Sequence, residues 1–193
     1  MRTPTIHVAM PDGSTYPVNE LLTPGDRNIK LEKSNAADEG YETVGLTLSP
    51  AEESGFNVCA FASPACTAAC LKFTGHNTFT NVRRAQIAKT RALFLHRDAF
   101  KLKLFTEIDH ARSMAIKRGN TLAVRPNVLS DIPWERVYSD MFETFYDVQF
   151  YDYTKRPNRV VPANYDLTFS RSETNEQIAL EQYERGLKYR RGV

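Results

Sequence analysis

Three cysteines carry the most chemistry in this chain. Cys59, Cys66 and Cys70 fall in one short stretch with the spacing Cys-x6-Cys-x3-Cys, and the rest of the 193 residues contain none. Cysteine in a globular protein is usually a small buried hydrophobe, so gathering all of it in one segment argues that the thiolates converge on a shared ligand. An odd number does not close into disulfides. Thiolates suit zinc and iron–sulfur clusters best. A closed structural zinc site needs a fourth donor, and His76, six residues beyond Cys70, is the nearest candidate. A cubic 4Fe–4S cluster on three protein thiolates needs none and keeps one iron open for chemistry. Neither spacing is the Cys-x2-Cys knuckle common in zinc sites, which favours the cluster, with reactive or simply buried thiols as the remaining reading. His7, His96 and His110 have no partner at ligand spacing.

The elements around the cysteines imply how they are held. Ile6 and Val8 alternate with polar neighbours, Asp12-Gly13 is a hairpin turn, and Thr15 to Val18 is the return strand. Thr23 to Gly40 is rich in Pro, Gly, Asp and Asn and reads as loop, so residues 1–40 form a small β cap and linker. Thr43 to Leu48 is the first core strand and leads directly into the cysteine segment. Ser63-Pro64 reads as an N-cap and first helical position for a short helix through Leu71, which would place Cys66 and Cys70 on one face. Two apolar stripes at helical spacing follow: Val82, Ala85, Ala88, Ala92, Leu95, and then Phe100, Leu104, Ile108, Ala111, Ala115, opened by Asp98 and closed by Gly119. The Arg and Lys between them read as a solvated outer face.

Beyond Gly119, strands alternate with helices. Leu122–Arg125, Val148–Asp152 and Asp166–Phe169 are strands, and Pro133–Phe145 and Thr174–Arg185 are helices, with Trp134 anchoring its helix on the sheet. This alternation predicts one α/β domain over residues 1–193: a parallel sheet with crossover helices, arranged as a partial (β/α) barrel behind a small N-terminal β-hairpin cap. The connection from Asp152 to Asp166 is too short, and too rich in proline, for a crossover helix. In parallel α/β folds the carboxyl ends of the strands hold the active site. Here those ends deliver the cysteines, then Asn127, Ser130 and Asp131, then Asp152, Tyr153, Thr154 and Lys155, then Ser170, Arg171 and Ser172.

Lys plus Arg number 25 against 23 Asp plus Glu, a net charge of +2 that implies no strong overall field for nucleic acid or membrane. The basic residues concentrate between Arg83 and Arg118, where ten face three acidic residues. No apolar run approaches the ~20 residues of a membrane span, and Met1-Arg2-Thr3-Pro4 begins no signal peptide. A reducing cytoplasm is the expected compartment, which also favours metal over disulfide.

The order of these pieces resembles the bacteriophage gene product 88 family. The resemblance rests on the cysteine cluster, Ser130-Asp131, Phe150-Tyr151-Asp152-Tyr153-Thr154-Lys155, Asn164-Tyr165 and Leu167-Thr168-Phe169-Ser170, and spans about residues 43–193. It implies a phage protein acting in the host cytoplasm, with a layout similar to the radical S-adenosylmethionine barrels, where three cluster ligands follow the first strand. Those enzymes use Cys-x3-Cys-x2-Cys and a Gly-Gly-Glu-like run after strand two. Neither is present here, so weak S-adenosylmethionine binding at most is expected.

The expected protein is a 4Fe–4S protein with Cys59, Cys66 and Cys70 as ligands and an open iron facing a small-molecule substrate. Asp131, Asp152 and Lys155 would be its acid, base or anion-holding groups. As an enzyme it would be a lyase, hydrolase or radical-type catalyst. The alternative is a zinc-stabilised module that binds nucleic acid through the Arg83–Arg118 helices and the Lys188–Arg191 tail, or a host-modulating protein that uses the metal for stability or redox sensing.

Overall fold

Ile6, Val8 and Val18 are the buried positions of a two-stranded hairpin in which β1 (Ile6–Ala9) pairs antiparallel with β2 (Thr15–Val18). Its turn is set by Gly13 at φ +80° and by the Asp12 carboxylate, which accepts from the Ser14 backbone N–H at 3.0 Å and from its hydroxyl at 2.5 Å. The computed structural model describes residues 3–27, 40–73 and 75–191. Within the expected loop, β3 (Leu22–Pro24) is a short strand, and residues 28–39 lie outside the described residues.

Among the described residues the main sheet has six strands. β3 pairs antiparallel with β4 (Tyr41–Leu46). β5 (Thr121–Arg125), β6 (Gln149–Thr154), β7 (Tyr165–Arg171) and β8 (Lys188–Arg191) then follow β4 in chain order, each parallel to the one before. Each parallel connection steps to the next position in the same direction, without the reversal of a doubly wound sheet. One face carries Val44, Leu46, Leu122, Val124, Phe150, Leu167 and Phe169, all buried. The other carries half-buried Arg125, Gln149, Tyr151, Tyr153, Asp166 and Thr168, as the two-residue strand period requires.

The expected helices form with corrections. α1 (Pro64–Ala68) is shorter than expected, while α2 (Thr80–Leu95) and α3 (Arg97–Lys117) follow the two stripes. Phe100, Leu104, Ile108 and Ala115 of α3 are buried. The stop signal works through its geometry: Gly119, at φ +78°, donates to Ile116 O at 3.0 Å, and Asn120 donates to Ala115 O at 2.9 Å. In α2, Leu95 is exposed and Leu93 takes the buried position.

The single helix expected over 133–145 is two short ones, α4 (Trp134–Val137) and α5 (Asp140–Thr144). The break lets neighbouring side chains reach separate partners. Trp134 Nε1 donates to Asn127 Oδ1 at 3.1 Å, and the Tyr138 hydroxyl donates to Arg97 O at 3.1 Å. The last helix, α6, spans Glu176–Glu184. The Lys188–Arg191 segment, expected as a basic tail, is strand β8. Lys-Tyr-Arg-Arg carries no apolar alternation to announce a strand, but charge on an edge strand discourages pairing with other chains. β6 and β7 are parallel with no helix between them. The connection is closed instead by Asn164, whose Nδ2 donates to Phe142 O at 3.1 Å and Phe145 O at 3.0 Å.

Candidate functional site

The cysteine segment leaves β4 and runs across the carboxyl edge of the parallel strands. At its start Ala51 holds a left-handed φ of +51°, a costly conformation for a residue with a Cβ. Cys59 donates its thiol to Leu129 O at 3.5 Å, and Asp131 N–H donates to Val58 O at 2.8 Å, which ties this end of the segment to the loop after β5. A second tie, a few residues past Cys59, joins the segment to the loop after β7. The Ser63 hydroxyl accepts from Cys66 N–H at 3.2 Å and donates to Glu173 Oε2 at 2.8 Å, while Ala65 N–H donates to Glu173 Oε1 at 2.9 Å. Ser63 is therefore the N-cap that the sequence implies, with Pro64 at the first helical position. The backbone bond from Ala65 and the Ser63 hydroxyl hold the Glu173 carboxyl below its ordinary value.

All three cysteines are half-buried free thiols. α1 ends at Ala68, so Cys70 lies beyond the helix and the expected shared face of Cys66 and Cys70 does not form. Burial pushes the Cys59 thiol up to about 11; a backbone hydrogen bond from Ala51 opposes the rise, and nearby charge on Asp131, Cys70 and Cys66 adds to it. A thiol raised in this way is a poor nucleophile. It becomes a thiolate when a bound cation offsets the burial and the like charges, which is the chemistry of a metal ligand. Among the described residues, no three His, Cys, Asp or Glu side chains close up on a single metal ion. A zinc ion would need its donors packed about 2 Å from one point, whereas a cubic cluster takes each thiolate on a different iron and tolerates a wider triangle. The His76 side chain, the proposed fourth zinc donor, lies outside the described residues.

Of the remaining site candidates, Asp131 and Lys155 stand at the strand ends as expected. Asp131 is half-buried and accepts from the Thr154 hydroxyl at 2.6 Å and the Lys155 backbone N–H at 2.9 Å. Asp152 stands elsewhere. The sequence places it at the carboxyl end of its strand, but it lies inside β6, only 2% exposed, because Phe150, Asp152 and Thr154 share the face packed under the helices. Its carboxylate accepts from Asn127 N–H at 3.1 Å, Asn127 Nδ2 at 2.9 Å and the Tyr165 hydroxyl at 2.9 Å, with Arg125 Nε at 3.7 Å. Burial, only partly offset by these partners, pushes Asp152 up to about 7. Burial also holds the Tyr165 hydroxyl well above its ordinary value, so it remains a donor.

Asn127 binds this network to the rim. Its Oδ1 accepts from Ser130 Oγ at 2.7 Å, Ile132 N–H at 3.0 Å and Trp134 Nε1, fixing the loop that carries Asp131. Arg159 completes it, forking onto Glu135 at 3.1 and 2.6 Å, donating to the Tyr165 hydroxyl at 3.2 Å and standing 3.6 Å from Asp131. Glu135, Arg159, Tyr165 and Glu173 were not among the expected site residues. The Asn164-Tyr165 pair was the available signal, and the structure shows it as a loop clamp and a donor to Asp152. Ser170, Arg171 and Ser172 close the turn into α6 instead: Ser172 N–H donates to Asn175 Oδ1 at 2.6 Å, and Arg171 pairs with Glu176 at 2.5 Å.

The expected basic face is mostly engaged within the chain. Arg83 pairs with Glu53, Arg84 with Asp12, Lys101 with Asp140, Arg112 with Asp147 and Arg118 with Glu42. Lys89, Arg91 and Lys103 donate to backbone carbonyls, and Lys103 is 1% exposed rather than solvated.

The fold and its polar strand ends define an α/β protein with five successive parallel strands whose carboxyl edge is crossed by a cysteine segment. The family model for gene product 88 matches residues 20–191, which takes in the six-stranded sheet and the cysteines, so the chain belongs to the bacteriophage gene product 88 family. No curated protein and no solved structure matches the chain. Among the described residues, no helix is long and apolar enough to cross a membrane.

Proposed function

We propose that the protein is a phage-encoded 4Fe–4S protein with Cys59, Cys66 and Cys70 as ligands and with a small substrate bound at the open iron. The observation that carries this reading is the fastening of the cysteine segment over the carboxyl edge of the sheet at two points, Val58 to Asp131 and Ser63–Ala65 to Glu173. When bound, the cluster would supply a Lewis-acidic or electron-donating iron. The chain's own groups would do the rest. Asp131, oriented by Thr154 and the Lys155 backbone, and the Lys155 ammonium would hold or move a proton or an anionic group at the rim. Asp152 would act from beneath, positioning the Asp131 loop through Asn127. The successive order of β4 to β8 and the polar second face of the sheet favour a partial (β/α) barrel, with that face as its interior. S-adenosylmethionine would bind weakly. Because eight basic residues of the Arg83–Arg118 stretch are engaged internally, the nucleic-acid reading is weaker.

The test is anaerobic purification with iron, sulfide and zinc analysis and a visible spectrum. The expected result is a brown protein with thiolate-to-iron charge-transfer absorption, and loss of most of the iron in each of Cys59→Ala, Cys66→Ala and Cys70→Ala. Asp131→Asn and Lys155→Met should keep the iron. A colourless protein with stoichiometric zinc after reconstitution would refute the assignment.

A further inference from the structure

Arg97, at the start of α3, escapes the pairing that occupies most of the basic stretch, and it lines a cleft of about 200 Å³ beside the cysteine segment. A second arginine, Arg156, lines the same cleft. Its guanidinium lies over the Phe61 ring at 4.5 Å, and its Nε is buried without a hydrogen-bond partner. Among the described residues neither guanidinium has a carboxylate partner. A buried donor left unmatched is costly, so an unpaired guanidinium held in place by an aromatic ring suits a site whose partner comes from outside. The lining also has apolar side chains, Leu93, Phe94 and Val137 among them.

We propose that this cleft binds a small organic monocarboxylate, with its carboxylate held by Arg97 and Arg156 and its apolar body against Leu93, Phe94 and Val137. The guanidinium fork matches a carboxylate in shape and charge. The charge balance selects a single negative charge. Arg97, Arg156 and Asp131 line the cleft, and Arg159 stands by Asp131 and pairs with Glu135, so three positive charges meet two negative ones and one positive charge is left over. The volume falls below the ~300 Å³ at which drug-sized pockets begin, so the ligand is small. The proposal does not depend on what the thiolates hold.

Calorimetric titration of the full-length protein with benzoate tests it, with benzyl alcohol as the neutral analogue and phenyl phosphate as the dianion. Benzoate should bind more tightly than either, and Arg97→Gln and Arg156→Gln should each weaken it about tenfold. Lys117→Gln removes the same charge from the far end of α3, about 30 Å away by helical rise, and should leave binding unchanged. Arg97 packs against little, so its variant stays informative even if Arg156→Gln disturbs the Phe61 contact. Absence of benzoate binding, equal affinity for benzyl alcohol, or unchanged affinity in Arg97→Gln would overturn the proposal.

Discussion

Charged side chains serve opposite purposes in two regions beside the α2–α3 pair. Next to the N-terminal hairpin they are spent on structure. Lys89 Nζ donates to Leu21 O and Lys103 Nζ to Asn19 O, each at 2.8 Å, while Glu107 accepts from the Leu21 and Leu22 N–H groups at 2.9 and 2.8 Å. Burial lowers Lys89 and raises Glu107 from their ordinary values, drawing both toward neutrality. These three residues pin the backbone that joins the hairpin to the sheet. Near the cysteine segment, Arg97 and Arg156 have no such partners among the described residues and line an open cleft. Whether a charge belongs to the fold or to a ligand is therefore read from where its donors and acceptors go, and residue type alone does not reveal it.

Breaking the paired region should have the largest effect. Glu107→Ala removes the acceptor of two backbone N–H groups and the negative charge that acts on Lys103 and Lys89, so it should cost about 2–5 kcal/mol in urea unfolding. On the proposed cluster assignment, iron content per folded molecule should not change, since the cysteine segment is tied elsewhere. A loss under 1 kcal/mol would show that the hairpin clamp is not the structural side of the comparison.

A smaller effect, with a defined pH dependence, is expected from Asp152. Its folded value of about 7 lies above the ordinary 3.8, so the folded protein binds a proton that the unfolded chain releases between those values. Its contribution is fully present below the ordinary value and is lost as pH rises toward about 7. Asp152→Asn should therefore flatten the decline in stability between pH 4 and 7, measured as the difference from the parent by chemical denaturation. An unchanged slope would mean that Arg125 and Tyr165 hold the carboxylate ionised.

The smallest effect should come from Glu173, whose solvent-exposed carboxylate ties down the start of α1. Glu173→Ala should leave the melting temperature nearly unchanged but speed amide exchange at Ala65 and Cys66. The parent should approach the variant as pH falls below the ordinary glutamate range, because the value is lowered in the fold and the bond is lost on protonation. Equal protection of the two amides in both proteins would show that the segment is held by Ser63 alone.

Local patterns made much of this molecule legible in its sequence. The Ile6/Val8 alternation with Asp12-Gly13 specifies a hairpin, the Phe100 to Ala115 stripe with Gly119 specifies a helix and its stop, and Ser63-Pro64 specifies the start of α1, because each is settled by residues within a turn or two of one another. The gathering of Cys59, Cys66 and Cys70, and the placing of Asp131 and Lys155 after strands, were equally visible. What stayed hidden depends on partners distant in the chain. Strand β8 exists because β7 offers a free edge, the 133–145 helix breaks where Trp134 and Tyr138 reach different neighbours, and Asp152 is buried because Asn127 and Tyr165 close over it. Glu173 reaches Ser63 from 110 positions away, and Glu107 reaches Leu21 from 86. A hydrogen-bond partner at such separation leaves no periodic trace in composition or spacing, so pairing, burial and the availability of a charge for a ligand arise only when the strands and helices are brought together.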